Sequence, residues 1–247
     1  MTEFTIKVAD VPVGVTAMFA STRDYCRAYF TEEAPAFHVA TCREDLEFEQ
    51  QKSREEAIVE GFRFREFPEP YLERTAIQRK IAEKLFDYDT LVFHGSVVAV
   101  DGQGYLFTAK SGTGKSTHTS LYRRVFGDER VRMLNDDKPA VKMENGEFYA
   151  YGTPWNGKER LGCNMRTPVK HICFIERSET NYVEKMQPSE IIDLIFNQVY
   201  MPKDPMAVVN TMQLINRFIN CCSIWKIHCN MDISAAEVAY NTIFGNK

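Results

Sequence analysis

Between Phe107 and Ser120 the chain reads FTAKSGTGKSTHTS, with one lysine set among small and hydroxyl residues directly after an apolar run. The spacing A-x-x-x-x-G-K-S, Ala109 to Ser116, departs from the phosphate-binding pattern G-x-x-x-x-G-K-[ST] only at its first residue. Gly112 and Gly114 let the backbone turn successive N–H groups inward and approach an anion closely. Lys115 has the reach for β/γ-phosphates, Ser116 offers a hydroxyl to Mg²⁺, and the helix expected next aims its N-terminus at the negative charge. Ser111, Thr113 and Thr117 complete the cradle. Alanine at position 109 requires a negative φ there. The chemistry this implies is the grip of a nucleotide's terminal phosphates, ATP or another nucleoside triphosphate, with Mg²⁺; the bland alternative is a glycine-rich turn with a solvated lysine.

About twenty residues on, VRMLNDDKP supplies an apolar strand ending in Asn135, Asp136 and Asp137. One carboxylate at a strand end can hold Mg²⁺, directly or through water. A second beside it is free to accept a proton from an attacking hydroxyl. A polar turn before Pro139 would also use aspartate. The segment GTPWNGKERLGCNMRTP (152–168) reads as an irregular loop carrying Lys158, Arg160 and Arg166. Its cations suit charge developing on a transferring phosphoryl group, or a substrate's own anion, as well as an ordinary solvated surface. Trp155 in that loop suits a packing anchor or a substrate wall.

HGSVVAVDGQGYLFTAKSGTGKS followed by LNDDKPAV resembles the catalytic domain of HPr kinase/phosphorylase. The shared features are a His-Gly before a hairpin, the phosphate loop straight after it, and an Asp-Asp pair ending the next strand. SGTGKSTHTS is also similar to the loop of ATP-dependent phosphoenolpyruvate carboxykinase, of the same structural superfamily. The resemblance covers roughly residues 88–180. It implies a nucleotide-binding α/β core with a mixed sheet, Mg²⁺ dependence and phosphoryl transfer to a serine hydroxyl. By position, Lys115 and Ser116 would hold phosphate and metal, Asp136 would be the base and Asp137 the metal partner, with the order of that pair open. His94 would lie near the transferred phosphate, or serve as a structural hydrogen-bonder. The chain departs from the family in Ala109, in a shorter N-terminal module, and in the 152–168 segment, which stands where the family has a later signature.

These residues need elements to hold them. FTIKVA, the run around VGVTAMFA, and FRFREF read as short strands, so residues 1–68 are expected to form a small β-rich module with little helix. Ile77, Ile81 and Leu85 share one face of a helix over 69–87 that joins this module to an α/β domain at 88–247. TLVFHGSVVAV, DGQG and YLFTAK read as a hairpin, and PAVKM, ENGE and FYAYGT as a second. KHICFIE and SIWKIHC are further strands. Helices are expected near 115–126, 188–201 and 205–222, with Met212, Ile215 and Ile219 in the core. A closing helix has Ser234 and Glu237 as a capping box.

The chain has 247 residues and a net charge of −4, which gives no electrostatic footprint for nucleic acid or an acidic membrane surface. No apolar run approaches the roughly 20 residues of a membrane span. The acidic N-terminus without a secretory core suggests the cytoplasm. Seven cysteines without a C-x-x-C pair suit reduced thiols. His118, on the first turn of the helix after the loop, is expected to be a hydrogen-bonded structural histidine. The expected activity is a kinase moving a γ-phosphoryl group to a hydroxyl of a peptide, protein or small molecule, with the reverse phosphorolysis open. The alternatives are a nucleotide-binding regulatory module without catalysis and a carboxykinase-like lyase. Self-association would follow the oligomeric HPr kinases.

Overall fold

The computed structural model describes residues 1–59, 61, 63–109, 112–157 and 160–244, and the chain divides into two compact units, Met1–Leu85 and Phe86–Lys247. No helix among the described residues is long and apolar enough to cross a membrane.

In the first unit, β1 (Thr2–Val8) and β2 (Val11–Ala17) form an antiparallel hairpin. Its two-residue turn places Ala9 and Asp10 at positive φ, the geometry that matches the twist of paired strands. After α1 (Ala20–Tyr25), β3 (Phe37–Ala40) adds parallel to β2. Where little helix was expected, the module holds a 17-residue helix, α2 (Arg43–Val59), and Arg63–Phe67 are not a strand. The charges explain α2. Arg79 reaches Asp45 and Glu49, and Lys80 reaches Asp45, so α2 is fastened through ion pairs to α3 (Glu69–Leu85) and not through an apolar stripe of its own. Leu72, Ala76, Ile77, Ile81 and Leu85 of α3 are buried. This helix, expected as a connector, belongs to the first unit. Its Glu73 is fully buried and accepts hydrogen bonds from the Met18 and Phe19 amides and the Thr22 and Thr41 hydroxyls.

The second unit is a mixed sheet between two helical layers. Its strands are β4 (Thr90–Val92), β5 (Ser96–Val100), β6 (Gln103–Thr108), β7 (Val131–Asn135), β8 (Ala140–Glu144), β9 (Glu147–Tyr151), β10 (Arg166–Arg177), β11 (Tyr182–Met186) and β12 (Ser223–Cys229). They run in the order β4-β8-β9-β10-β6-β5-β7, with β12 beside β10 and β11 beside β12. β10 is parallel to β6 and β12, and the other pairs are antiparallel. The helices are α4 (Lys115–Arg130), α5 (Ile192–Phe196), α6 (Pro205–Cys221) and α7 (Ser234–Phe244).

Alternation along β6 makes the layers. Tyr105 and Phe107 join Leu121 and Tyr122 of α4 and Ala235, Ala236 and Ala239 of α7, while Leu106 joins Leu214, Ile215 and Phe218 of α6. Phe218 packs on Phe93 and Phe148, a burial on the order of 2–3 kcal/mol. Both expected hairpins form, the second through Asn145 and Gly146 at positive φ.

Four expectations change. The run 90–100 is two strands, because β4 pairs with β8 while β5 pairs with β6 and β7. Residues 188–201 hold a 3-10 turn and the short α5, and Phe93 bridges Val199. Met212 is 46% exposed, since the buried stripe of α6 runs through Thr211, Leu214, Ile215, Phe218 and Ile219. Ser234 lies inside α7. Its amide donates to Asp232 Oδ1, and its hydroxyl accepts from Asn181.

Candidate functional site

β6 delivers the chain through Ala109 into the loop that opens α4. Ala109 is buried in the core and is not among the described residues with positive φ, so its methyl group is accommodated. Gly112 has φ 75° and Gly114 φ 112°, and a Cβ built at either meets nothing within 4 Å. The glycines serve backbone conformation there, not close packing. Gly114 is the N-cap of α4 and supplies no side-chain cap, which leaves the first-turn amides facing outward with the positive end of the helix. α4 is regular up to Phe126, where Gly127 (φ 76°) interrupts it.

Gly112, Thr113, Gly114, Lys115, Ser116 and Thr117 line one cleft of about 250 Å³, and His94 closes its side. Ser111 lies outside the described residues. The backbone at His94 is held from three directions. Its N–H donates to Gln198 O at 2.6 Å, its carbonyl accepts from Thr108 Oγ1, and the next amide, of Gly95, donates to Asp137 O at 3.0 Å. A Cβ at Gly95 would stand 2.9 Å from the Phe107 carbonyl, so only glycine allows this approach.

The acidic pair splits. Asp137 faces the cleft residues: its Oδ1 is 3.6 Å from His94 Nε2 and 3.1 Å from Lys138 Nζ. Burial, followed by the charges of Lys138 and Lys115, pushes the His94 pKa down to about 4 against the pull of Asp137, so the ring is neutral at pH 7. Burial also lowers the Lys115 pKa, while Asp137 and, more weakly, Asp136 raise it. The lysine therefore sits within the field of both carboxylates. Asp136 is buried and turned toward the 152–163 loop, where its Oδ1 accepts the Gly157 amide at 2.6 Å. A Cβ at Gly157 would lie 2.7 Å from Asp136 Oδ2.

Two organising residues went unread in the sequence. Buried Asn135 donates from Nδ2 to the Thr153 carbonyl and hydroxyl and to the Trp155 carbonyl, and its Oδ1 accepts the amides of Asp137 and Lys138. One side chain thus fixes both the turn that carries Asp137 and the loop that meets Asp136. An asparagine ahead of two aspartates at a strand end signals such an Asx turn. Arg177, the last residue of β10, donates Nε to Thr113 O at 2.9 Å and a terminal N–H to Gly112 O. Its partner lies 64 residues away, and no local pattern announces it.

The remaining expectations fall as follows. Lys158 lies outside the described residues. Arg160 is exposed on the loop, with φ 50° and its amide on Gly157 O. Arg166 does not line the cleft; it pairs with Glu144 and the Tyr151 hydroxyl. Trp155 is buried as an anchor. His118 is buried, yet neither ring nitrogen has a hydrogen-bond partner among the described residues, which corrects the expectation of a satisfied histidine. Its edge contacts are Phe107 and Tyr122, aromatic neighbours without an acceptor in reach.

No family model and no curated protein matches the chain. Among solved structures, the HPr(Ser) kinase/phosphatase from Coxiella burnetii aligns with 62% of this chain and 97% of its own, at 13% identity and a TM-score of 0.36.

Proposed function

We propose that the second unit binds a nucleoside triphosphate by its terminal phosphates and transfers the γ-phosphoryl group to a hydroxyl acceptor, in the manner of an HPr kinase. The observation that carries this reading is the convergence on one cleft of the Gly112–Thr117 backbone, Lys115 and His94, with Asp137 against the histidine. The motif resemblance over residues 88–180 supports it. The loop amides and the Lys115 ammonium hold the β- and γ-phosphates, and Thr117 and the first turn of α4 extend the cradle.

Ser116 and Asp137 offer the hydroxyl and carboxylate oxygens that suit Mg²⁺. Among the described residues no three His, Cys, Asp or Glu cluster as a metal site, and these two side chains would be the ones to hold the ion. When bound, Mg²⁺ neutralises charge on the β/γ-oxygens. The acceptor oxygen attacks the γ-phosphorus, its proton passes to a carboxylate of the Asp136–Asp137 pair, and the bond to the β-phosphate oxygen breaks to release the diphosphate. The Gly157 N–H of the 152–163 loop holds the Asp136 carboxylate through Oδ1. Arg160 lies on the same loop and meets charge developing in transfer.

The test is label transfer from γ-labelled ATP with Mg²⁺ to a panel of serine-bearing peptides, proteins and small hydroxyl compounds, with Lys115→Ala as the blank. The expected result is transfer reduced by at least about a hundredfold in that variant. Transfer that persists unchanged, or tight nucleotide binding with no turnover on any acceptor, removes the kinase reading.

A further inference from the structure

Glycines at 112 and 114 make the loop able to adopt its shape, but they also leave its peptide planes the widest choice of orientation. Nothing lies within 4 Å of a Cβ at either position, so packing does not select one. A clamp from outside does. β10 runs parallel to β6 in a register that pairs Phe174 with Thr108, the last residue of β6. Three residues further along, Arg177 stands level with the loop, its backbone paired on the other side with Cys229 of β12. Its guanidinium takes the carbonyls of Gly112 and Thr113 together.

In a planar trans peptide the carbonyl of one residue and the N–H of the next point in opposite directions. The described peptide bonds include no cis bond. Holding the Gly112 and Thr113 carbonyls toward Arg177 therefore turns the N–H groups of Thr113 and Gly114 away from it. We propose that Arg177 is a positioning residue of the cradle, which sets these two amides for a phosphate by fixing the carbonyls behind them. This rests on the triphosphate reading above. The planar fork of an arginine can serve two carbonyls one residue apart, whereas a lysine is a point donor on a flexible stem. The charge behind the loop also favours an anion, and the two contributions are separable because lysine keeps the charge and loses the fork.

The experiment titrates a non-hydrolysable nucleoside triphosphate with Mg²⁺ into the full-length protein by calorimetry. It compares the wild type, Lys115→Ala, Arg177→Lys and Arg177→Ala, the last with and without guanidinium chloride and with sodium chloride as the ionic control. Thermal midpoints are recorded for each. The expected result is an affinity loss of at least about tenfold in both Arg177 variants at an unchanged midpoint. Guanidinium, and not sodium, restores the alanine variant. Binding by Arg177→Ala or by Arg177→Lys within about twofold of wild type overturns the inference, the second outcome because charge alone would then suffice. Should Arg177→Ala fail to fold, Arg177→Lys decides by itself. A wild type that binds no more tightly than Lys115→Ala instead removes the triphosphate reading, and the role of Arg177 with it.

Discussion

At 2% exposure, His118 lies beneath the candidate loop between the edges of Phe107 and Tyr122, with neither ring nitrogen bonded among the described residues. Burial pushes its pKa from 6.5 down to about 4. Above pH 6.5 the ring is neutral in both the folded and unfolded chain, and stability has its full value. As the pH falls toward 4 the unfolded imidazole takes a proton that the buried one refuses, so stability is lost across that window. Between pH 7 and pH 5 this histidine accounts for a loss of about 2 kcal/mol. His118→Leu is expected to lose about 2 kcal/mol less than wild type over the same interval, measured by urea unfolding at the two pH values. Equal losses in the two proteins would show that the ring finds a partner on protonation. Asn135 is the opposite case, a buried amide that uses both its donor and its acceptor ends. Sequence distinguishes neither, because whether a buried polar atom finds a partner is decided by chain segments far from it.

The loop between β6 and α4 depends on backbone conformations that only glycine adopts cheaply. Gly114→Ala puts a side chain at φ 112° in open space, so the effect is strain and not collision. The expected cost is about 1–2 kcal/mol of stability, together with a loss of nucleoside triphosphate affinity of at least about tenfold. Gly146→Ala is the control. Its φ of 83° in the β8–β9 turn carries comparable strain, yet it does not line the cleft, so it lowers the thermal midpoint and leaves affinity intact. Equal affinity losses in both would place the effect in global stability. Elements of this kind were legible because their signals are local: Gly and Lys at fixed spacing, β-branched runs, and Asn-Gly within the second hairpin. The regular part of α4 ends at Gly127, as the expected range 115–126 implies. Elements held by distant partners were not legible. α2 is polar and forms against Arg79 and Lys80 of α3, and the 188–201 segment yields its helical pattern to the bridge between Phe93 and Val199. The strand run 90–100 gave no sign of its break at His94–Gly95, because the amides there are bonded to Gln198 and Asp137. The cleft was readable as a loop and an acidic pair, while the long-range clamps, Asn135 on Thr153 and Arg177 on Gly112, act across 18 and 65 residues.

Each of the two units is compact by itself, and the described residues that line the candidate cleft come from Phe86–Lys247. The first unit is held by a buried carboxylate, Glu73, which gathers two backbone amides at the start of α1, the Thr22 hydroxyl, and the Thr41 hydroxyl at the end of β3. An acceptor with four donors cannot be replaced by an apolar side chain without leaving those donors buried and unpaired. Glu73→Leu is therefore expected to destabilise the first unit by about 3 kcal/mol or more. Because the described lining of the cleft belongs to the second unit, nucleoside triphosphate affinity should stay within about threefold of wild type. Hydrogen exchange read together with a nucleotide titration separates the two. Faster exchange confined to residues 1–85 with binding retained supports independent cores. Joint loss of protection and of nucleotide binding would mean that the units fold as one, and that transfer to any acceptor depends on the integrity of both.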